Sequence, residues 1–146
     1  MADPAKTILL VEDDPDHEVL TIRALRKSNI ANDICVARDG AEAISLLLGD
    51  GSNSPQVRPQ VILLDLNLPK IDGLEVLRRI REDERTQMLP VVILTSSDEE
   101  KDVVRSYKLG VNSYIRKPVN FTEFAEATKQ LGMYWLVLNE CPPKRR

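Results

Sequence analysis

Four stretches of this sequence carry side chains that can do chemistry together: Glu12-Asp13-Asp14, Asp65, Thr95-Ser96-Ser97 and Lys117-Pro118. Carboxylates held close together repel one another, and their pKa values rise unless a cation neutralises them. A hard divalent ion, Mg²⁺ or Mn²⁺, meets that need. Mg²⁺ accepts a few protein oxygens, keeps several waters and completes its shell with a phosphate oxygen. A carboxylate in such a setting can attack phosphorus and form an aspartyl phosphate. Asp65 is the candidate nucleophile. The Lys117 ammonium and the Thr95 hydroxyl are candidates for stabilising charge on the phosphoryl oxygens. Pro118 restricts Lys117 to extended backbone, which can aim the lysine back at the acids. Taken singly, each residue has a plainer explanation. An acid after a strand often caps the next helix, which is the reading adopted for Asp14 and Asp72.

The case for a shared site rests on the elements that position these residues. Apolar runs of strand length are predicted over 7–12, 33–37, 60–65, 90–95 and 113–116, with helical patterns between them. Ile8-Leu9-Leu10-Val11, Val61-Ile62-Leu63-Leu64 and Val91-Val92-Ile93-Leu94 are continuous rather than alternating. Such runs suit central strands of a parallel sheet covered on both faces. Asp14-Pro15 opens a first helix whose apolar stripe is Val19, Ile22 and Leu25, with Asn29 ending it. A second helix follows Asp39-Gly40, with Ala41, Ile44 and Leu47 on one face. The breaker-rich stretch from Gly49 to Pro55 is then a surface loop. Asp72 with Glu75, Ser97 with Glu100, and Asn120 with Glu123 read as capping boxes for three further helices. The pattern predicts an α/β fold: a doubly wound, flavodoxin-like (βα)5 unit with a parallel five-stranded sheet in the order 2-1-3-4-5. In such a sheet ligands bind beyond the carboxyl ends of the strands. The reactive residues all lie at those ends.

Length and composition set the outer bounds. The 146 residues fit one domain over 1–146, with an extended last helix about 120–139 and a short tail 140–146. A formal net charge of -3 gives no general attraction to nucleic acid or to anionic membranes. Met1 to Lys6 do not read as a signal peptide, no apolar run reaches membrane length, and Cys35 and Cys141 are too few for a disulfide framework or zinc site, so neither secretion nor membrane insertion is expected. A cytoplasmic location with reduced thiols is expected. His17, near the start of the first helix, is expected to be exposed and no transition-metal ligand.

Four blocks, taken in order, resemble the response-regulator receiver (CheY-like) family, single-domain type. They are Ile8 to Pro15, Asp65-Leu66-Asn67-Leu68-Pro69-Lys70-Ile71-Asp72-Gly73, Leu94-Thr95-Ser96, and Tyr114-Ile115-Arg116-Lys117-Pro118. The resemblance implies a two-component phosphorelay protein that is not an enzyme in the ordinary sense but assists its own phosphorylation and dephosphorylation. It implies that Asp65 is the phosphoacceptor, that Asp13, Asp65 and the Asn67 backbone carbonyl bind the metal directly, and that Glu12 binds it through water. It gives Thr95 and Tyr114 the switch positions and Lys117 the pairing lysine. Asn67 and Ser97 take positions that tune phosphoryl lifetime, and Ser96 is small enough to admit the phosphoryl group. Phosphorylation would add about -1.5 to -2 charge units beside Thr95 and Lys117 and bias a two-state arrangement. The fourth helix, fifth strand and fifth helix are then the output face.

The last helix carries a stripe of Phe121, Phe124, Thr128, Leu131, Trp135 and Leu138, which leaves Met133, Tyr134, Leu136 and Val137 over. An apolar patch there points to a homodimer through this helix. The loop before Gln60 and the ending Gln130 to Trp135 resemble the subgroup paired with phytochrome-type sensor histidine kinases. The terminal Lys144-Arg145-Arg146 reads as a solvated tail. Three other functions compete. An aspartate-nucleophile phosphatase would have a second acid where Asn67 stands, and a cap domain. A nucleotide-binding module would have a Gly-rich phosphate loop, which is missing. A non-phosphorylated receiver used only for protein binding would not need the intact acidic set.

Overall fold

A computed structural model describes residues 7–27, 33–49, 57–96, 99–117 and 120–140; within the last stretch, residues 121, 131, 132 and 136–138 are described by backbone alone. Asn29, Ser97, Pro118 and Cys141, and most of the loop expected before Gln60, lie outside the described residues. Strands β1 (Thr7–Val11), β2 (Asp33–Ala37), β3 (Val61–Leu64), β4 (Val91–Thr95) and β5 (Ser113–Arg116) alternate with helices α1 (Pro15–Lys27), α2 (Gly40–Leu48), α3 (Gly73–Glu82), α4 (Glu100–Lys108) and α5 (Phe121–Gly132). All strand pairs are parallel, in the order β2-β1-β3-β4-β5.

The continuous apolar runs are buried as their composition requires. Every residue of β3 and β4 is buried, whereas the edge strands β2 and β5 are mostly half-buried. Side chains alternate between the two faces of the sheet. Ile8, Leu10, Val61, Leu63, Val92 and Leu94 pack on one face with Leu25 of α1 and Phe124 of α5. Leu9, Val11, Ile62, Leu64, Val91 and Ile93 pack on the other with Ala43 and Leu47 of α2 and Val76, Leu77 and Ile80 of α3. Burying each large aliphatic contributes roughly 1.5–3 kcal/mol. Two apolar layers therefore hold the sheet rigid beneath the strand ends.

The helix starts follow their caps, with one correction. Asp14 Oδ1 accepts from the backbone N–H groups of Asp16 and His17 at 2.9 and 3.3 Å. Asp39, Asp72 and Asn120 accept from Glu42, Glu75 and Glu123 N–H at 2.7, 2.9 and 2.9 Å. The fourth helix instead begins at Glu100 with Glu99 in the cap position and no side-chain cap bond. The predicted Ser97 cap therefore sits too early. Of the expected α1 stripe, Leu25 is buried and Ile22 packs half-buried against the same layer, but Val19 does not join them. Thr21, Ala24 and Leu25 are the helix's buried residues, while Val19 is 50% exposed. At 100° per residue the inward face runs through His17, Thr21 and Ala24, and Val19 points off it.

Helical backbone runs from Phe121 to Leu138 but changes type on the way. After Gly132 the backbone changes to a π-helical segment, Met133–Leu138, closed by Asn139 N–H donating to the Tyr134 carbonyl at 2.6 Å. Gly132, a weak helix former, stands at the changeover. Phe124 and Thr128 of the expected stripe are buried and Trp135 is half-buried against the α1/α5 layer, whereas Met133 and Tyr134 are exposed.

Candidate metal and phosphoryl site

Strand register brings the acids together. Val11 of β1 pairs with Leu64 of β3, so the next residues, Glu12 and Asp65, leave the sheet side by side. Asp65 N–H donates to the Val11 carbonyl at 3.1 Å, and Glu12 N–H to the Ala37 carbonyl at 2.9 Å. One strand pair over, Thr95 pairs with Arg116, and Lys117 N–H donates to the Thr95 carbonyl at 2.7 Å. The chain reverses its winding direction between β1 and β3, which is where doubly wound sheets open their ligand crevice.

Two glycines let the flanking loop close over this rim. A Cβ on Gly73, at the start of α3, would stand 2.4 Å from the Asp65 carbonyl oxygen, and one on Gly40 would stand 1.9 Å from that of Ile71. Gly73 N–H donates to the Leu66 carbonyl at 3.0 Å. The helix thus begins against the backbone that carries Asp65. Within the same loop Lys70 has a positive φ of 67°, a strained setting for a residue with a Cβ.

The side chains converge tightly. Lys117 Nζ donates to Glu12 Oε1 at 2.5 Å and to Asp65 Oδ2 at 2.8 Å. The other Asp65 oxygen, Oδ1, accepts from the Thr95 hydroxyl at 2.8 Å and the Asn67 backbone N–H at 3.0 Å. Glu12, Asp65, Thr95 and Lys117 are all buried, while Asp13 is exposed at the rim. Oxygens of Glu12, Asp13 and Asp65 lie within 4.8 Å of one another. Three carboxylates against one ammonium leave a net double negative charge. That balance, and an all-oxygen donor set, fit a hard divalent cation.

Electrostatics separate the two buried acids. Burial pushes Glu12 up to about 7, aided by the neighbouring Asp65 charge and opposed by Lys117. Burial pushes Asp65 in the same direction, but the Lys117 ammonium, the Asn67 N–H and the Thr95 hydroxyl together hold its carboxyl below the usual range. Asp65 is therefore ionised and Glu12 is poised, the arrangement of a nucleophile beside a charge-adjusting partner.

Of the residues predicted from sequence, Glu12, Asp13, Asp65, Thr95 and Lys117 meet in one place, and Asn67 joins them through its backbone. Tyr114 does not; it lies half-buried on β5 against the α2/α3 layer. Ser96 is exposed at the end of β4. The residue missed is His17, expected to be exposed. It is half-buried, with Nδ1 2.9 Å from Lys117 Nζ and 3.9 Å from Glu12 Oε1, and its ring stacks on Phe124 with centroids 5.8 Å apart. Its spacing from Thr21 and Ala24 on the inward face of α1 was the available signal.

The family model of the response regulator receiver domain matches residues 8–129. The chain belongs to the response regulator receiver family. It is a signalling receiver of the two-component type rather than an ordinary enzyme. Over 135 residues it is 40% identical to the response regulator Rcp1 of a Synechocystis strain, covering 92% of each protein. The Mn²⁺-bound form of Rcp1 superposes with a TM-score of 0.88 at 39% identity, covering 94% of this chain and 99% of that one. The phosphorylated cyanobacterial phytochrome response regulator RcpA gives 0.90 at 39% identity over 96% and 100% of the two chains. A bacteriophytochrome response regulator, AtBRR, is 51% identical with a TM-score of 0.71 over 94% and 100%. The Mn²⁺ form of a receiver this similar agrees with the divalent character of the acidic cluster. Among the described residues no helix is long and apolar enough to cross a membrane.

Proposed function

We propose that Asp65 is the phosphoacceptor of this receiver, that Glu12, Asp13, Asp65 and the Asn67 carbonyl hold its divalent cation, and that Thr95 and Lys117 respond to the phosphoryl group. The single observation that carries this reading is the Lys117 ammonium bridging Glu12 and Asp65 in a buried site. Asp65 is ionised and can attack phosphorus through a carboxylate oxygen, displacing the donor's leaving group. When bound, the cation supplies positive charge that offsets the three carboxylates and the incoming phosphoryl oxygens. Lys117 then has a new anionic acceptor within reach of its present position. The Thr95 hydroxyl, already donating to Asp65 Oδ1, can turn its proton to a phosphoryl oxygen. Loss of these two contacts from the carboxylate is the local event that biases the switch. Tyr114, three residues before Lys117 on β5 and half-buried, is the proposed aromatic switch position, and Asn67 and Ser97, two residues after the acceptor and the switch threonine respectively, are the proposed lifetime-tuning positions.

A sensor histidine kinase of phytochrome type is the proposed donor, supported by the phytochrome-associated relatives. A cytoplasmic setting follows from that partnership. Exposed Met133 and Tyr134, at 41% and 49%, support a homodimer through the C-terminal segment. Sedimentation with and without a phosphoryl analogue tests it, and a monomer in both conditions contradicts it. The main proposal is tested by incubating the protein with acetyl phosphate and Mg²⁺ and weighing it intact. One phosphoryl adduct is expected on the native chain and none on Asp65→Asn, while an equal adduct on the variant refutes the assignment.

A further inference from the structure

The Lys117 ammonium has three N–H donors, and three polar atoms surround it: the carboxylate oxygens Glu12 Oε1 at 2.5 Å and Asp65 Oδ2 at 2.8 Å, and the ring nitrogen His17 Nδ1 at 2.9 Å. The lysine side chain is only 4% exposed, so solvent is poorly placed to replace any of the three. Two of these acceptors are carboxylates that the site commits elsewhere during phosphotransfer. The third partner is a ring nitrogen on a different element, in the first turn of α1. A nitrogen that accepts from an ammonium carries no proton itself, so acceptance by Nδ1 requires the His17 proton on Nε2. The ring is held from its other side by its stack on Phe124, tilted 27° between planes, and Phe124 is a buried residue of α5.

We propose that His17 is a positioning residue for phosphotransfer: its Nδ1 holds the Lys117 ammonium while that group exchanges carboxylate contacts for the phosphoryl oxygens. Without the third acceptor one buried N–H is left unsatisfied, and the ammonium closes further onto Glu12 and Asp65. A buried donor in that state is costly, and the tightened pair must be pulled apart before the phosphoryl group is engaged. The Phe124 stack keeps the ring in register and ties this contact to α5. The inference rests on the phosphoacceptor reading of Asp65 and Lys117 given above.

Two substitutions separate the ring from the acceptor. His17→Asn keeps an acceptor atom attached to Cγ, where Nδ1 stands, and removes the ring. His17→Phe keeps a ring to stack on Phe124 and removes the acceptor. The assay is the initial rate of acetyl phosphate labelling of the full chain at saturating Mg²⁺, with the Mg²⁺ Kd and the thermal midpoint measured for each variant. The maximal rate of His17→Phe is expected to fall about threefold to tenfold, the consequence of losing one charge-assisted hydrogen bond in the transferring state. Its half-saturating acetyl phosphate and Mg²⁺ Kd should stay within about twofold of native, since uniform binding is untouched. His17→Asn should label at close to the native rate. Equal or faster labelling by His17→Phe overturns the proposal, as does His17→Asn being as slow as His17→Phe. Failure of the native chain to label at all would instead refute the phosphoacceptor reading. Should His17→Phe fail to fold, nitrogen NMR of the native imidazole decides independently: the Nε2–H tautomer is expected, and a proton on Nδ1 of the neutral ring rules the contact out.

Discussion

Mg²⁺ binding to this site is predicted to be steeply dependent on pH between 6 and 8, and Glu12 is the cause. Its carboxyl is 2% exposed, and burial lifts it to about 7. A cation that needs the carboxylate must displace whatever proton is there. At pH 8 about a tenth of the Glu12 groups are protonated and at pH 6 about nine-tenths, so the apparent Kd weakens about tenfold across that interval. Replacing Glu12 by Gln weakens binding at pH 8 and flattens the profile, because the amide cannot ionise. The same displacement has a stability counterpart in metal-free protein. A folded pKa raised above the ordinary 4.5 favours the protonated fold, so the contribution is complete below about 4.5 and is lost as pH rises through about 7. Its ceiling is ~3 kcal/mol. Asp65 has the opposite sign: its carboxyl is held low, and its contribution is lost only as pH falls below 3.8, outside this window. Isothermal titration calorimetry with Mg²⁺ at pH 6, 7 and 8, at fixed ionic strength, measures the effect in both proteins. Equal affinities at pH 6 and 8 in the native chain, or an equally steep profile in Glu12→Gln, would refute the reasoning.

Three substitutions probe the rest of the site. Lys117→Met strands two buried carboxylates, so urea unfolding of metal-free protein at pH 8 should show a loss of about 3 kcal/mol; the loss should shrink near pH 5.5, where Glu12 takes up a proton. Gly73→Ala places a methyl against the Asp65 backbone, 2.4 Å from its carbonyl oxygen. It should cost more than about 2 kcal/mol and slow acetyl phosphate labelling, and unchanged stability would mean that α3 shifts freely. Lys70→Gly should raise stability by up to about 1 kcal/mol in the same assay by relieving its positive φ. A decrease would show that the exposed 3.4 Å Lys70–Asp39 pair outweighs the backbone strain.

The sequence was most informative where burial on both faces leaves few choices. The four-residue runs in β1, β3 and β4 admit only central strands, and parallel pairing then puts Glu12, Asp65 and Thr95 at one rim. Lys117 follows because it is the residue after β5. Cap chemistry located α2, α3 and α5, since Asp39, Asp72 and Asn120 each satisfy the third N–H beyond them. The same pattern erred at α4, where Ser97 and Glu100 have the right spacing but Glu99 occupies the cap. In α3 the residue completing the box, Glu75, is drawn instead to Arg78 and Arg79, at 2.5 and 2.9 Å.

His17 was missed for a different reason. The inward face of α1 includes Thr21, fully buried, and a threonine does not register in an apolar stripe. A stripe drawn through Val19 faces His17 toward solvent instead. Apolar periodicity also cannot tell an α-turn from a π-turn, so the change at Gly132 was not legible. The exposed Met133 and Tyr134 were nonetheless correctly left off the packed stripe. Tyr114, given a switch position by the family resemblance, stands half-buried on β5.

The most direct test of the central claim is to locate the phosphoryl group. Labelling with acetyl phosphate and Mg²⁺, reduction with borohydride to convert an acyl phosphate into an alcohol, and peptide sequencing by mass spectrometry identify the modified residue. The account predicts homoserine at position 65 and nowhere else. Reduction product at Glu12, Asp13 or any other acid, with aspartate intact at 65, would contradict it.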